Sequence, residues 1–330
     1  IKIDRFALRR HRVAFQNRLM KLVDAWYPDA AAKVSTGFGL YLHQAEGPAA
    51  ALGDMKLPKK AVLLVYGLDE PGHVWNLIAP RLVKEGFTVI EVRYPNDQAI
   101  EKSALLLSVY AQQLRTAGVE EMDIIAHSMG GLVSRELLTN PKLYAGNGQG
   151  HANYPAVNRL IMVGTPNHGA RLAELQVLGE VRETVMRMLS GDGHLFGAFF
   201  DGAGEAKEDL LPGSPFLNRL NGRQLPENVK LTILASRASP VSPKQIDALK
   251  EKVKGVAPEM TADAIEKLSD LTKDLIDGAG DGAVSLASTK LEGVEDFVIV
   301  SGNHTTMMRK EESEGEATVI GEILKRLKAK

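Results

Sequence analysis

From Lys59 onward, short apolar runs alternate with longer stretches of helical spacing. Ala61-Val62-Leu63-Leu64-Val65 is a continuous apolar run, the mark of a strand buried on both faces. Glu70–Glu85 has the spacing of a helix and stops at Gly86, a fitting C-terminal residue. The β-branched run Phe87–Val92 closes at Tyr94-Pro95, and Ile100–Thr116 reads as a helix ending near Gly118. Met122–Ala126 predicts the next strand, Gly130–Leu138 a helix halted before Asn140-Pro141, and Val157–Val163 another strand. Val229–Ala235 and Val294–Val300 add two more strands, and Thr318–Leu327 is a final amphipathic helix. Strands and helices joined by short connections predict a mostly parallel central sheet with helices on both faces.

Three regions break this pattern. Residues 1–58 are expected to be an N-terminal helical extension. Within it Leu8, Phe15, Leu19, Leu22 and Trp26 fall mostly at helical spacing, with Arg9, Arg10, Arg12 and Arg18 between them. That pattern suits either a helix lying on a membrane surface or partner, or one docked on the main domain with solvated arginines. Residues 171–211 carry Gly-rich pieces on either side of the apolar run Leu195-Phe196-Gly197-Ala198-Phe199-Phe200. Residues 239–280 are charged and helical by composition. No internal repeat is visible. Residues 59–330 are therefore expected to form one α/β domain with a lid or cap insertion at about 171–211 and a helical insertion at about 239–280.

Composition narrows the function classes. The 330 residues are 44% hydrophobic and 25% charged, an ordinary globular balance, and the formal net charge is −1. Near-neutrality gives no reason to expect a nucleic acid partner. The absence of cysteine excludes disulfides and thiolate metal sites, and the eight histidines lack ligand spacing, so no metal or cofactor is expected. No stretch reaches the ~18 consecutive apolar residues of a membrane span. The chain begins at Ile1, which suggests a trimmed or processed start. A secreted, periplasmic or peripherally membrane-associated location is the expectation if an N-terminal segment was removed.

The chemistry gathers at Asp123-Ile124-Ile125-Ala126-His127-Ser128-Met129-Gly130-Gly131. Here a strand passes abruptly into a helix, with small residues two before and two after one serine. This is G-x-S-x-G with alanine in the first place, a nucleophile elbow. The small residues answer a steric demand, because the strained turn crowds the neighbouring strand and helix. Ser128 is also suited to N-capping the helix, but a cap requires no small residues around it. As a nucleophile its hydroxyl needs a base. His304 lies just past the last expected strand, and loops at the carboxyl ends of parallel strands meet on one edge. Asp281, between two glycines, is the candidate for the carboxylate that orients the imidazole. Asp123 is the rival, but it begins the strand that Ser128 ends. The N–H of Met129 and that of Leu68, after the first core strand, are the candidate oxyanion donors. His127 is read as packing or orientation, and His168 as a structural or pocket residue.

These residues together resemble the α/β-hydrolase superfamily, and within it the serine lipases and esterases with an AHSMGG elbow. The group is similar to the alanine-elbow bacterial lipases and the GPI-inositol-deacylase-like lipases. The resembling segments are Val62–Leu68, Asp123–Gly131, Gly164–Gly169, Asp281–Ser288 and Gly302-Asn303-His304, with Asp209–Asn221 like the stretch that follows the lid. The resemblance implies an α/β-hydrolase fold and hydrolysis of carboxylic esters by Ser128, His304 and Asp281. Leu68 and Met129 would form the oxyanion hole. Tyr66 stands where members often carry histidine, and with His127, Phe196 and Phe199 it is expected to face substrate. The expected partner is an ester or lipid, met at a lipid surface if Leu195–Phe200 is a lid and not a packed insertion. Phospholipase and thioesterase chemistry share such a triad, and a non-catalytic binding scaffold shares the fold.

Overall fold

The computed structural model describes residues 37–68, 73–144, 153–170, 205–237, 244, 280–304, 306–311 and 315–329. The expected helix Ile1–Trp26, Phe196 and Phe199, and nearly all of both insertions lie outside the described residues. Leu40–Lys330 forms a compact unit.

Its centre is an eight-stranded sheet. The strands are β1 (Gly39–Leu42), β2 (Ala50–Ala51), β3 (Lys60–Val65), β4 (Val89–Arg93), β5 (Glu121–His127), β6 (Ala156–Val163), β7 (Lys230–Ala235) and β8 (Phe297–Ile299). Their spatial order is β2-β1-β4-β3-β5-β6-β7-β8. Every pairing from β4 across to β8 is parallel, and β1–β2 is antiparallel. The helices are α1 (Ile78–Lys84), α2 (Ile100–Ala117), α3 (Met129–Thr139), α4 (Glu205–Asp209), α5 (Pro215–Asn221), α6 (Leu286–Thr289) and α7 (Val319–Lys328). Among the described residues no helix is long and apolar enough to cross a membrane.

The core explains the continuous apolar runs. Ala61–Val65, Ile124–Ala126 and Leu160–Val163 are buried in adjacent central strands, whose two faces are both covered. Trp75, Ile78 and Leu82, and Val319, Ile320 and Ile323 of α7, join the same core. Polar residues cap the ends. The Ser214 hydroxyl accepts from Leu217 N–H with Pro215 in the first turn of α5, and Thr318 accepts from Gly321 N–H at α7.

Three elements differ from the sequence expectation. The helix expected over 70–85 begins only at Ile78, after a 3₁₀ turn at His73–Trp75. Pro80 lacks an N–H and is tolerated only within a first turn, so it fixes the start. The last strand is shorter than Val294–Val300, because Val294 N–H closes a turn on Leu291 and Phe297 N–H bonds to Glu295. Residues 39–51, expected within a helical extension, contribute strands instead. β1 and β2 are four and two residues long, and pairing at the sheet edge, not alternation, defines them.

Candidate active site

Parallel strands bring their carboxyl ends to one edge, and the chemistry collects there. β5 runs to His127, and Ser128 bridges it to α3 with φ +53° and ψ −131°. It is the sole non-glycine with positive φ among the described residues. Such a backbone costs of order 1–3 kcal/mol and persists only when its surroundings impose it. Here Ser128 N–H is tied to the Val163 carbonyl at 2.8 Å, and its side chain makes no capping bond to α3. The hydroxyl is thus left for another partner. Gly130 is required by close approach, since a Cβ there would overlap the backbone oxygens of Val65 and Tyr66. A Cβ on Gly67 would lie 2.7 Å from that of Ser128 and 3.2 Å from the Met129 nitrogen. The loop after β3 therefore presses directly on the elbow.

Ser128, His304 and Asp281 lie in one hydrogen-bonded row. His304 Nε2 is 3.1 Å from Ser128 Oγ, and His304 Nδ1 is 2.7 Å from Asp281 Oδ2. All three are buried, at 3%, 4% and 1% exposure respectively. A carboxylate only accepts, so Nδ1 is the donor to Asp281 and Nε2 is the nitrogen facing the serine. Asp281 is itself held: Oδ1 accepts from the N–H groups of Ala283 and Val284 at 3.0 and 2.8 Å. Its carbonyl accepts from His304 N–H at 2.9 Å. Gly164, just past β6, has φ +58°, and a Cβ there would lie 3.1 Å from Asp281 Oδ2 and 3.2 Å from His304 Nδ1. The rival Asp123 sits at the other end of β5, opposite Arg159.

The remaining expected residues separate into groups. Leu68 and Met129 flank the serine on the β3 loop and the first turn of α3, and both are buried. His127 is buried, and its Nε2 donates to the His304 carbonyl at 3.2 Å, with the two rings 4.9 Å apart. Burial, with the nearby His304 second, pushes its pKa down to about 3, so the ring is neutral. Its Nε2 is thus engaged by the backbone of His304. Tyr66 is also spoken for. Its hydroxyl donates to the Tyr94 carbonyl at 2.9 Å and accepts from Tyr94 N–H at 2.8 Å, and the rings stack 4.9 Å apart. Burial pushes its phenol above the ordinary tyrosine range. The Tyr66 hydroxyl thus faces the protein interior, away from the role of a substrate contact. His168 is exposed, with Nδ1 3.4 Å from Asn221 Nδ2.

A polar network behind the row escaped sequence reasoning. Arg135, on α3, donates to Asn167 Oδ1 at 3.0 Å and to Asn221 Oδ1 at 2.9 Å. Asn167 donates to the Thr289 carbonyl, and Asn221 to the Asn167 carbonyl. Burial pulls the Arg135 pKa down to about 10, which still leaves it charged at neutral pH. These bonds tie the helix behind the serine to the loop after β6, to α5 and to the segment following Asp281. The only trace in sequence is polar residues at positions otherwise reading as core or turn.

Residues 106–203 match a family described as a domain of unknown function (DUF7379). No curated protein matches the chain. Among solved structures, the mature lipase BlEst2 of Bacillus licheniformis is similar with a TM-score of 0.53 and 16% identity, over 77% of this chain and 88% of that one. The phospholipase PlaB of Legionella pneumophila is similar with a TM-score of 0.44 and 19% identity, over 70% of this chain and 45% of that one. The lin2722 product of Listeria innocua is similar with a TM-score of 0.45 and 14% identity, over 83% of this chain and 95% of that one. The sheet order, the helices around it and the likeness to the Bacillus protein agree: this chain has the α/β-hydrolase fold.

Proposed function

We propose that the protein is a serine hydrolase that cleaves carboxylic esters through an acyl-enzyme. The single observation carrying this reading is the row itself, with an imidazole nitrogen 3.1 Å from the hydroxyl of a strained serine that caps no helix and a carboxylate 2.7 Å behind the ring. In this mechanism His304 Nε2 takes the Ser128 proton as Oγ attacks the ester carbonyl. The imidazolium that forms is stabilised by Asp281. The N–H groups of Met129 and Leu68 receive the oxyanion. His304 then protonates the leaving alcohol, and afterwards activates the water that releases the acid. Lipid esters are included in the substrate class because the Bacillus protein of the same fold is called a lipase.

The test pairs a fluorophosphonate probe with turnover of a short-chain p-nitrophenyl ester. The expected result is labelling at Ser128, and loss of several orders of magnitude in kcat for Ser128→Ala and His304→Ala. A folded wild-type protein that neither labels nor turns over belongs to the binding-scaffold class instead.

A further inference from the structure

We infer that Asn96 is a positioning residue that aims the Leu68 N–H at the oxyanion, an inference that rests on the ester-hydrolysis reading above. Asn96 Nδ2 donates to the Gly67 carbonyl oxygen at 2.6 Å. A carbonyl only accepts, so the Asn96 atom facing it is the amide nitrogen. That oxygen belongs to the peptide joining Gly67 to Leu68, the unit whose N–H is the second oxyanion donor. A trans peptide sets its C=O and N–H on opposite sides of one plane, and no cis bond occurs among the described residues. Holding the carbonyl therefore holds the direction of the N–H.

The loop needs such a clamp. β3 ends at Val65, so the peptides that follow have left the ladder. Gly67 has no side chain with which to brace itself, and none fits, because Ser128 is too close. The preceding peptide is held from the same side: Tyr94 Oη donates to the Tyr66 carbonyl at 2.6 Å. Tyr94-Pro95-Asn96 thus grips two successive peptide planes, with the fixed φ of proline between its two donors. The grip is itself anchored, since Ala206 N–H donates to the Asp97 carbonyl at 3.2 Å and Asp209 accepts from Ile100 N–H at 2.8 Å. A hydrogen bond on the carbonyl also polarises the amide, making the N–H on its far side a better donor.

Asn96→Ala and Asn96→Asp test this in the full chain, alongside the wild type and Ser128→Ala. Asn96→Ala is expected to lower kcat by about 10- to 100-fold, less than outright removal of a donor, with KM within about threefold. The inhibition constant of an alkyl boronic acid, whose tetrahedral adduct places an oxygen in the hole, should rise in step with the loss in kcat/KM. Asn96→Asp is nearly isosteric. Ionised, it repels the Gly67 carbonyl; protonated, it can donate. Its activity relative to wild type should climb as pH falls toward the ordinary carboxylate range. If Asn96→Ala fails to fold, the aspartate variant carries the test by itself. A wild type that labels at Ser128, with both variants retaining kcat within about threefold and no pH-dependent ratio, overturns the clamp alone. A wild type that neither labels nor turns over overturns the hydrolase reading and the clamp together.

Discussion

Among the described residues, two histidine–carboxylate pairs lie at or beside this sheet, and they are nearly equal in length. His304 Nδ1 lies 2.7 Å from Asp281 and His43 Nε2 lies 2.9 Å from Glu91. Both carboxylates are buried. They differ in what else the carboxylate holds. The second oxygen of Asp281 is bonded by two neutral backbone N–H groups, and among the described residues its ion partner is His304. Glu91 also receives Arg93 at 3.0 Å, and that guanidinium lies 3.8 Å over the Tyr41 ring. Glu91 therefore already has its cation. Asp281 is compensated fully only when His304 becomes imidazolium, which is the event the proposed mechanism requires. A short contact between imidazole and carboxylate is thus not what sets the proposed site apart. What sets it apart is a carboxylate with no second cation among the described residues and a hydroxyl at the other ring nitrogen.

The sharpest way to break this comparison is to neutralise each carboxylate without changing its shape. Asp281→Asn should lower kcat by about 10⁴-fold while leaving thermal unfolding nearly unchanged, because the amide favours the wrong tautomer of His304. Glu91→Gln should do the reverse: activity within about twofold, stability lower by about 2 kcal/mol in urea titrations. The latter figure is held down because Arg93 is 34% exposed and rehydrates. Burial raises the Glu91 pKa, but hydrogen bonds from His43 and Arg93 outweigh it, and the net value falls below the ordinary 4.5. A depressed carboxylate stabilises the fold above its unfolded pKa, so this contribution should vanish as pH drops below about 4.5. Activity loss in Glu91→Gln equal to that in Asp281→Asn would erase the distinction. A smaller perturbation acts on the His304–Asp281 pair alone. Gly164→Ala forces a Cβ onto a backbone at φ +58° beside the His304–Asp281 bond. It should cost about 1 kcal/mol in stability and roughly tenfold in kcat, with KM little changed.

How much of this was legible in the chain depends on the range of the interaction. The central strands announced themselves because burial on both faces leaves nothing but Ala61–Val65 or Leu160–Val163 to read. The tight turn from strand to helix at Ser128 was legible because strain and close packing restrict residue types locally, as at Gly130. His304 was suggested by topology, because strand order determines which loops share an edge, and Asp281 by the glycines on either side of it. The edge strands Gly39–Leu42 and Ala50–Ala51 were not legible, since pairing supplies their stability and leaves no periodicity. Nor were the bonds from Asn96 to Gly67 or from Arg135 to Asn167 and Asn221. A polar side chain that serves a distant carbonyl or amide carries no local signature. His127 was half legible: its place beside Ser128 suggested packing or orientation, but nothing local pointed to the His304 carbonyl it bonds.

That third histidine sharpens the contrast, because it is buried with no carboxylate. Its Nε2 donates to a carbonyl, so Nδ1 is the bare nitrogen, and that atom has no partner among the described residues. Burial holds the ring neutral down to about pH 3, against 6.5 for a free histidine. Between those values the unfolded chain binds a proton that the folded one refuses, so stability must fall as pH is lowered. From pH 6.5 to 5.5 the loss should be about 1 kcal/mol, close to the slope for one proton. Glu91 is silent in that window, as its titration lies below 4.5. Urea unfolding of wild type and His127→Gln at pH 7.5, 6.5 and 5.5 isolates the term, because every other titrating group is common to both chains. The variant keeps an N–H donor but cannot titrate, so its stability should decline less than that of wild type. Equal declines would mean that His127 takes up a proton inside the folded protein. A cation would then sit beside His304, opposing the imidazolium that the proposed mechanism forms there, and the two pairs would no longer differ in the way proposed.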